Sequence, residues 1–193
     1  MFRNIKRHIP ALMALFVAVM AVFACGGDSS SPSYETVTSA SITPGDAISA
    51  PTGDVILTMM GDIDVTNSGA TLQLDMPTLE SFGLVKYTVK DPWSAATNTY
   101  TGILISDLPE AVGASAAATS LYFTALDDYE VEISLDDAEK WPILLATRVN
   151  GEYMDIENSG PTRVIFPYDT FPDIDQLAYK DLWIWNIKSV EFR

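Results

Sequence analysis

The chain has 193 residues and is strongly acidic, with 26 Asp and Glu residues against 11 Lys and Arg residues and a net charge of −15. Binding to nucleic acid or anionic headgroups depends on neutralising phosphates with Lys and Arg, so this charge argues against a nucleic-acid-binding function. Apolar residues make up 48% of the chain, and one globular domain with a sizeable core is expected.

The first 24 residues have the pattern of an export signal. Three basic residues within the first seven precede an apolar run from residue 11 to residue 24. A membrane-spanning helix needs roughly 20 apolar residues, so this shorter run fits the core of a signal peptide better. The run ends at Ala24-Cys25-Gly26, which resembles a bacterial lipobox and implies cleavage before Cys25 and lipid on that cysteine. An ordinary signal peptide, or an anchor helix with a chance cysteine, is the alternative.

The lipobox resemblance implies membrane attachment through Cys25 in the bacterial cell envelope, facing the periplasm. Gly26 is not the acidic residue that retains lipoproteins at the inner membrane under enteric-type sorting, so the outer membrane is favoured. Residues 25–50 are mostly polar and small, and are predicted to form a flexible tether. The domain then occupies residues 51–193. All 26 acids but only 8 of the 11 basic residues follow residue 24, which makes the mature charge 8 − 26 = −18.

Short strands and one short helix are predicted for the first part of the domain. An apolar run at 55–60 is closed by a glycine, as expected for a first strand. Residues 71–74 and 85–89 alternate between apolar and polar side chains, which is the pattern of strands with one wet face. Asp75 is placed to cap a helix over 77–82.

The later part of the chain is predicted to have the same mixture of elements. Ser106 is placed to cap a helix that ends at Gly113. Two alternating runs around Asp127-Asp128 predict a hairpin, and Asn150-Gly151 predicts a second tight turn. About nine or ten strands with two or three short helices indicate an α+β fold that is mainly β. Further strands are predicted at 143–146, 164–166 and 183–192.

The types of side chain present exclude several kinds of chemistry. The sole histidine is His8 and the sole cysteine is Cys25, both outside the predicted domain. A Ser-His-Asp or Cys-His catalytic arrangement therefore cannot form in residues 51–193, nor can a zinc site of the Cys/His type. No catalytic residue and no metal ligand is predicted.

Several phrases, read in chain order, resemble the molybdopterin-binding oxidoreductase domain of the sulfite oxidase type. That family shows a Thr-Gly-x-x-Leu helix start, an Asp-Gly-Tyr turn, a Gly-Gly-Pro-x-Arg strand entry and a Lys-x-x-Trp near its end. The resemblance covers about residues 54–193 and implies the sulfite-oxidase-like fold, with mixed sheets and two or three short helices. The phrases are Thr101-Gly102-Ile103-Leu104-Ile105-Ser106-Asp107-Leu108, Ala125-Leu126-Asp127-Asp128-Tyr129, Leu144-Leu145-Ala146, Asn150-Gly151-Glu152, Gly160-Pro161-Thr162-Arg163 and Tyr179-Lys180-Asp181-Leu182-Trp183.

The sequence departs from the family pattern at several positions, the most important of which is the missing metal ligand. In catalytic members the resemblance implies a cysteine thiolate on molybdenum, from a loop after an early strand, whereas residues 89–98 contain no cysteine. Asp128 and Ser159 stand where the family has glycine. The chain is also shorter than catalytic members. No cofactor is therefore expected. The family resemblance is the only reason to consider molybdopterin.

Three residues are candidates for ligand binding. Arg163 and Lys180 fall on positions of the family pattern, which implies contact with an anionic ligand at the cofactor mouth; a structural ion pair with an acidic residue is the alternative. Trp93, in the loop that lacks the cysteine, could stack a flat ligand. Trp183 and Trp185 are expected on one face of a strand, where core packing or sheet cover is favoured over ligand contact.

These features predict a lipid-anchored envelope protein whose molybdopterin-type site has lost its metal ligand. Such a protein would bind an anionic small ligand or an envelope protein partner. The first alternative is a genuine molybdopterin-dependent oxidoreductase, or a subunit of one, that holds its cofactor without cysteine. The second alternative is an envelope scaffold or sensor component.

Overall fold

Two β-sheets share one hydrophobic core in the part of the chain that the structure describes, residues 34–174 and 176–193 of a computed structural model. The predicted signal peptide and Cys25 lie outside these ranges. The strands of the described ranges are β1 (Glu35–Thr38), β2 (Leu57–Gly61), β3 (Leu72–Leu74), β4 (Leu84–Lys90), β5 (Thr97–Leu104), β6 (Ser120–Ala125), β7 (Glu130–Ser134), β8 (Leu144–Val149), β9 (Glu152–Tyr153), β10 (Arg163–Ile165) and β11 (Ile187–Phe192).

The first sheet has the order β1-β4-β5-β8-β10, with β9 paired to β8, and its neighbouring strands are antiparallel. The predicted alternation over 85–89 is confirmed, since Val85, Tyr87 and Val89 are buried in β4 while the residues between them are partly or fully exposed. Gly102 allows β5 to pair closely with β8. A Cβ atom at that position would lie 2.2 Å from the carbonyl oxygen of Leu145.

The second sheet has the order β3-β2-β11-β6-β7. Strand β11 is parallel to β2 and antiparallel to β6, so this sheet is mixed, as predicted. Strands β6 and β7 form the hairpin predicted around Asp127-Asp128. The C-terminal strand therefore lies in the interior of its sheet, where its backbone is hydrogen-bonded on both sides.

Short helices connect the strands. Asp75 caps the first of them, as predicted, because its carboxylate accepts the Thr78 N–H at 3.1 Å. A hydrogen bond from the Thr78 hydroxyl, together with the N–H groups of Gly53 and Thr78, lowers the pKa of Asp75 to about 2. The helices are α1 (Met76–Glu80), α2 (Leu108–Val112), α3 (Leu135–Lys140) and α4 (Gln176–Tyr179), with 3₁₀ turns at Ile105–Asp107, Ile156–Asn158 and Lys180–Leu182.

The predicted cap of the second helix is wrong. Ser106 lies inside a 3₁₀ turn that leads directly into α2, so no free helix start is left for its hydroxyl to cap. The predicted end at Gly113 is confirmed, because this residue adopts the left-handed conformation with φ 62°. The described ranges contain four α-helices rather than two or three. None of them is both long and apolar enough to cross a membrane.

Strand β1 lies within residues 25–50, the segment predicted to form a flexible tether. It pairs with β4, and Lys86 Nζ lies 3.0 Å from Glu35 Oε1. All four side chains of β1 are exposed, so backbone pairing at a sheet edge, rather than burial, defines this strand. Its sequence therefore lacks the alternation of apolar and polar residues that predicts a half-buried strand.

The closing strand begins later than predicted. Trp183 and Trp185 precede β11, and the left-handed conformation of Asn186, with φ 52°, separates them from it. Trp183 is 2% exposed and packs in the core, whereas Trp185 is 40% exposed. Core packing, one of the two expected uses, is therefore confirmed for Trp183 and not for Trp185.

Candidate functional site

Asp91 organises the loop between β4 and β5, the segment in which the family resemblance implies a metal-binding cysteine. Its carboxylate Oδ1 accepts the backbone N–H groups of Trp93 at 2.8 Å and Ser94 at 2.9 Å. Its own backbone N–H donates to the carbonyl of Ala96 at 2.7 Å. Residues 91–96 therefore form a tight turn built around one carboxylate.

The second carboxylate oxygen of Asp91 contacts two residues from other strands of the same sheet, Tyr100 in β5 and Arg163 in β10. Oδ2 lies 2.8 Å from Nη2 of Arg163 and accepts the hydroxyl of Tyr100 at 3.1 Å. The side chains of Asp91 and Arg163 are only 4% and 9% exposed, so this ion pair is buried. We call Arg163, Asp91 and Tyr100 the Arg163 cluster. Both oxygens of the carboxylate are bound within the protein.

The charge state of the Arg163 cluster follows from these contacts. Burial alone would raise the pKa of Asp91, but the Ser94 N–H, the Arg163 charge and the other donors outweigh it, so the pKa lies below its ordinary value. Burial raises the pKa of Tyr100 despite the nearby positive charge. At neutral pH the cluster is therefore a carboxylate, a guanidinium and a neutral phenol.

Arg163 begins β10, and its guanidinium lies among aromatic rings. Its Cζ is 5.6 Å from the ring centroid of Trp183, 5.7 Å from that of Trp185 and 5.8 Å from that of Tyr100. Its Nε has no hydrogen-bond partner among the described residues. The sequence allowed two interpretations of Arg163, a structural ion pair or contact with an anionic ligand. The ion pair with Asp91 is present, and contact with a ligand stays a prediction.

Trp93 and Lys180 lie beside the Arg163 cluster and are connected to it through Trp185. The rings of Trp93 and Trp185 form a T-shaped pair, with centroids 5.9 Å apart and an interplanar angle of 86°. Lys180 Nζ lies 4.0 Å from the ring centroid of Trp93. The structure thus connects the three predicted ligand-binding residues in a row: Lys180 lies on Trp93, Trp93 contacts Trp185, and Trp185 lies beside Arg163.

A cavity of about 340 Å³ lies next to the Trp93–Trp185 pair and is large enough for a small ligand. Tyr129 is held in its wall at both ends: its N–H donates to Asp127 Oδ1 at 3.1 Å, and its hydroxyl donates to the backbone carbonyl of Asp181 at 3.2 Å. We call this space the tryptophan cavity. Its lining residues are Trp93, Ala125, Leu126, Asp127, Tyr129, Ile156, Asp181, Trp183, Ile184, Trp185 and Asn186.

Two residues that depart from the family pattern adopt conformations that glycine reaches most easily. Asp128 has φ 66° and Ser159 has φ 70°, both in the left-handed region. The carboxylate of Asp128 also pairs with Lys188 Nζ, and Ser159 precedes the cis peptide between Gly160 and Pro161. The turns that the family pattern implies therefore form here without those glycines.

Two mainly antiparallel sheets with a parallel pair and a few short helices define an α+β, mainly β fold of the sulfite-oxidase type. The family model described as the oxidoreductase molybdopterin binding domain matches residues 66–171, more than half of the chain. The chain belongs to this family.

One solved structure with a similar fold is the crystal structure of the sulfane dehydrogenase SoxCD from Paracoccus pantotrophus. The TM-score is 0.55 at 15% sequence identity. The match covers 76% of this chain and 40% of that chain, so this protein spans less than half of its length. No curated protein matches the chain.

The donor groups in the described ranges do not fit the metal centre that the resemblance implies. Residues 34–193 contain no cysteine and no histidine. No group of three or more Asp and Glu side chains in the described residues is arranged to hold a metal ion. Where the resemblance implies a soft thiolate, the loop offers the carboxylate of Asp91, a hard donor whose two oxygens are already bound.

Asp91 and Tyr100 were not identified from the sequence, and Trp185 was considered for ligand contact but ranked below core packing or sheet cover. The Asp91-Pro92 dipeptide is a turn-initiating signal and could have identified the first of them. No local signal marks Tyr100 or Trp185. Tyr100 and Arg163, for example, meet across 63 residues of chain. Their association depends on the pairing of β5 with β8 and of β8 with β10.

Proposed function

We propose that this protein is a lipid-anchored binding module of the bacterial cell envelope, built on a molybdopterin-type oxidoreductase fold that has lost its metal ligand. The Arg163 cluster is the observation that carries this proposal. The resemblance implies a thiolate on molybdenum in the loop between β4 and β5. Instead, the Asp91 carboxylate accepts hydrogen bonds from Trp93, Ser94 and Tyr100 and forms an ion pair with Arg163. A carboxylate with four internal partners has no oxygen left for a metal or a substrate.

The tryptophan cavity supplies the binding surface in this proposal. Nine large apolar side chains are exposed in the described ranges, and five of them line this one cavity. Such clustering of exposed apolar residues marks interaction sites. The occupant is a small ligand or an envelope protein partner, and an anionic ligand at Arg163 and Lys180 is the version that the sequence favours.

Metal analysis tests the loss of the cofactor. The full chain is produced in a molybdenum-replete host that synthesises molybdopterin, in parallel with a family member that has the cysteine. We expect stoichiometric molybdenum and pterin fluorescence in the control and neither in this protein. Stoichiometric molybdenum together with a pterin in this protein would overturn the proposal.

Family membership favours one rival, a genuine molybdopterin-dependent oxidoreductase, or a subunit of one, that holds its cofactor without cysteine. The metal analysis above decides between the two. A thermal-shift screen with pterins, oxyanions, organic cations and sugars addresses the other rival, an envelope scaffold or sensor component. A ligand-dependent rise in Tm supports the binding module, whereas no response to any of these compounds supports the scaffold.

The proposed lipid anchor is tested at Cys25. Replacing it in a Cys25→Ser variant should release the protein from membranes and abolish lipid labelling, because the sulfur is the attachment point. The matched control Ser30→Ala, in the same segment, should stay membrane-bound and labelled. Unchanged membrane association of the Cys25→Ser variant would contradict the anchor.

A further inference from the structure

The tryptophan cavity has an acidic character. The charged side chains among its described lining residues are Asp127 and Asp181, and no Lys or Arg lines it within the same ranges. Both carboxylates belong to exposed residues, and the whole chain has a net charge of −15. Carboxylates at the rim of an apolar cavity concentrate cations there and repel anions.

Aromatic rings form much of the cavity wall. Trp93, Tyr129 and Trp185 are each between 40% and 49% exposed, although tryptophan in particular is largely buried on average. The two indoles stand almost perpendicular, which creates a corner with two ring surfaces. Aromatic faces attract cations, and Lys180 Nζ already lies 4.0 Å from the Trp93 ring.

The cavity wall is held in place by the fold. The side-chain amide of Asn186 donates to the carbonyls of Ile156, at 2.8 Å, and of Gly160. The backbone N–H of Leu126 donates to the carbonyl of Asn186 at 2.9 Å. Together with the two bonds of Tyr129 described above, these contacts fix the wall before a ligand arrives, which reduces the entropy lost on binding.

The basic residues that favour an anionic ligand are already engaged. Arg163 forms a buried ion pair with Asp91, and Lys180 lies on Trp93. We propose that the tryptophan cavity binds a small organic cation of the quaternary ammonium type, held by the indole and phenol rings and by the charges of Asp127 and Asp181. This inference rests on the proposed binding function and specifies the chemical class of its ligand.

Choline and its uncharged isostere 3,3-dimethyl-1-butanol test the inference. Binding to the full chain carrying Cys25→Ser is followed by intrinsic fluorescence, because three of the four tryptophans line the cavity and a bound ligand should change their emission. We expect choline to bind about tenfold more tightly than the isostere, since both fill the same space but only the cation is attracted by the charge of the ring faces and the carboxylates. Added salt should weaken choline binding.

A free cation and a lipid headgroup share this chemistry, and glycerophosphocholine separates the two sources. Its phosphate should be repelled by the acidic rim, so we expect it to bind more weakly than choline. Glycerophosphocholine binding as tightly as choline would overturn the assignment to a free cation and would indicate a lipid headgroup.

Three variants locate the site. Trp185→Leu should abolish choline binding, whereas Tyr153→Leu, which removes an exposed aromatic ring outside the cavity, should leave it unchanged. Lys180→Ala should strengthen choline binding by about two- to fivefold, because it removes a competing positive charge and frees a face of Trp93. An anionic ligand requires the opposite response to Lys180→Ala.

The outcomes separate this inference from the proposed function. Equal binding of choline and its isostere, or preferred binding of sulfate that Lys180→Ala weakens, would overturn the cation. Absence of binding by every probe would also overturn it, while the metal analysis would still test the loss of the cofactor independently. Stoichiometric molybdenum would overturn the proposed function, whatever the cavity binds.

Discussion

Two clusters in this protein have the same chemical composition, an arginine, a carboxylate and a tyrosine, but differ in burial. The second, which we call the Arg148 cluster, consists of Arg148, Glu80 and Tyr153. Its Arg148 side chain is 29% exposed, and its Glu80 side chain is 12% exposed. The corresponding arginine and carboxylate of the Arg163 cluster are both less than 10% exposed.

The less buried Arg148 cluster is the more completely hydrogen-bonded of the two. Arg148 contacts Glu80 with two nitrogens, Nε at 3.0 Å and Nη2 at 2.5 Å, and Tyr153 donates to the same carboxylate at 2.9 Å. Arg163 contacts Asp91 with Nη2, while its Nε has no partner in the described ranges. A cluster that only connects structural elements would be expected to have the two-nitrogen contact seen in the Arg148 cluster. The Arg163 cluster, which is buried and leaves Nε without a partner in the described ranges, lies beside the tryptophan cavity.

The largest expected effect is that of Arg163→Met. It leaves the charge of Asp91 buried without its partner, and we expect the free energy of unfolding to fall by about 3–5 kcal/mol in urea titrations. The double variant Asp91→Asn, Arg163→Met leaves no unpaired charge and should be less destabilised than the two single variants together. Strict additivity would show that the ion pair contributes nothing specific.

The matched change in the less buried Arg148 cluster should be milder. In Arg148→Met, Glu80 retains the hydroxyls of Thr147 and Tyr153 and has access to water. We expect a loss of about 1–2 kcal/mol in the same urea titration, between the values for a charged hydrogen bond and a surface ion pair. A loss equal to that of Arg163→Met would mean that burial does not distinguish the clusters.

Acidification should act on Asp91 without any mutation. An aspartate in an unfolded chain titrates near a pKa of about 3.9, and the folded pKa of Asp91 is lower. Its stabilising effect is therefore complete above the unfolded pKa and is lost as pH falls through the folded pKa. We expect the free energy of unfolding to decline below about pH 4, and to decline less in Asp91→Asn.

Asp75 provides the control for the acid titration. Its pKa of about 2 has the same sign of effect, so Asp75→Asn should also reduce the decline, independently of Asp91. An identical acid profile for Asp91→Asn and the unmodified protein would contradict the lowered pKa of Asp91.

The smallest expected effect is that of Lys86→Ala. Lys86 and Glu35 form an exposed pair between β4 and β1, with side chains 38% and 69% exposed. Such pairs contribute about 0–1 kcal/mol, so the urea midpoint should hardly change. A loss as large as that of Arg148→Met would show that β1 is attached to the sheet mainly through this pair.

Elements that depend on neighbouring residues were predictable from the sequence. The alternation over 85–89 identified β4, Asp75 identified the start of α1, and Asp127-Asp128 identified the β6–β7 hairpin. Each of these signals depends on contacts within a few residues. Strand β1 gave no such signal, because its side chains are exposed and only its pairing with β4 defines it.

The candidate site was predictable in part. Arg163, Lys180 and Trp93 were selected through positions and loops of the family pattern; Arg163 and Trp93 contact Trp185, and Lys180 lies on the Trp93 ring. Trp185 itself was expected to pack in the core or to cover the sheet, because a regular strand through 183–192 was expected. The backbone at Asn186 interrupts that strand, and the indole is exposed at the tryptophan cavity as a result.

The sequence by itself determined the acidic charge, the family and the absence of thiol and imidazole groups from residues 34–193. These properties depend on composition and on the order of short phrases, which folding does not alter. Only the tertiary structure decided that Asp91 neutralises Arg163 and that Trp93 meets Trp185. Those contacts join residues far apart in the chain, so they depend on how the strands pair and where they are interrupted.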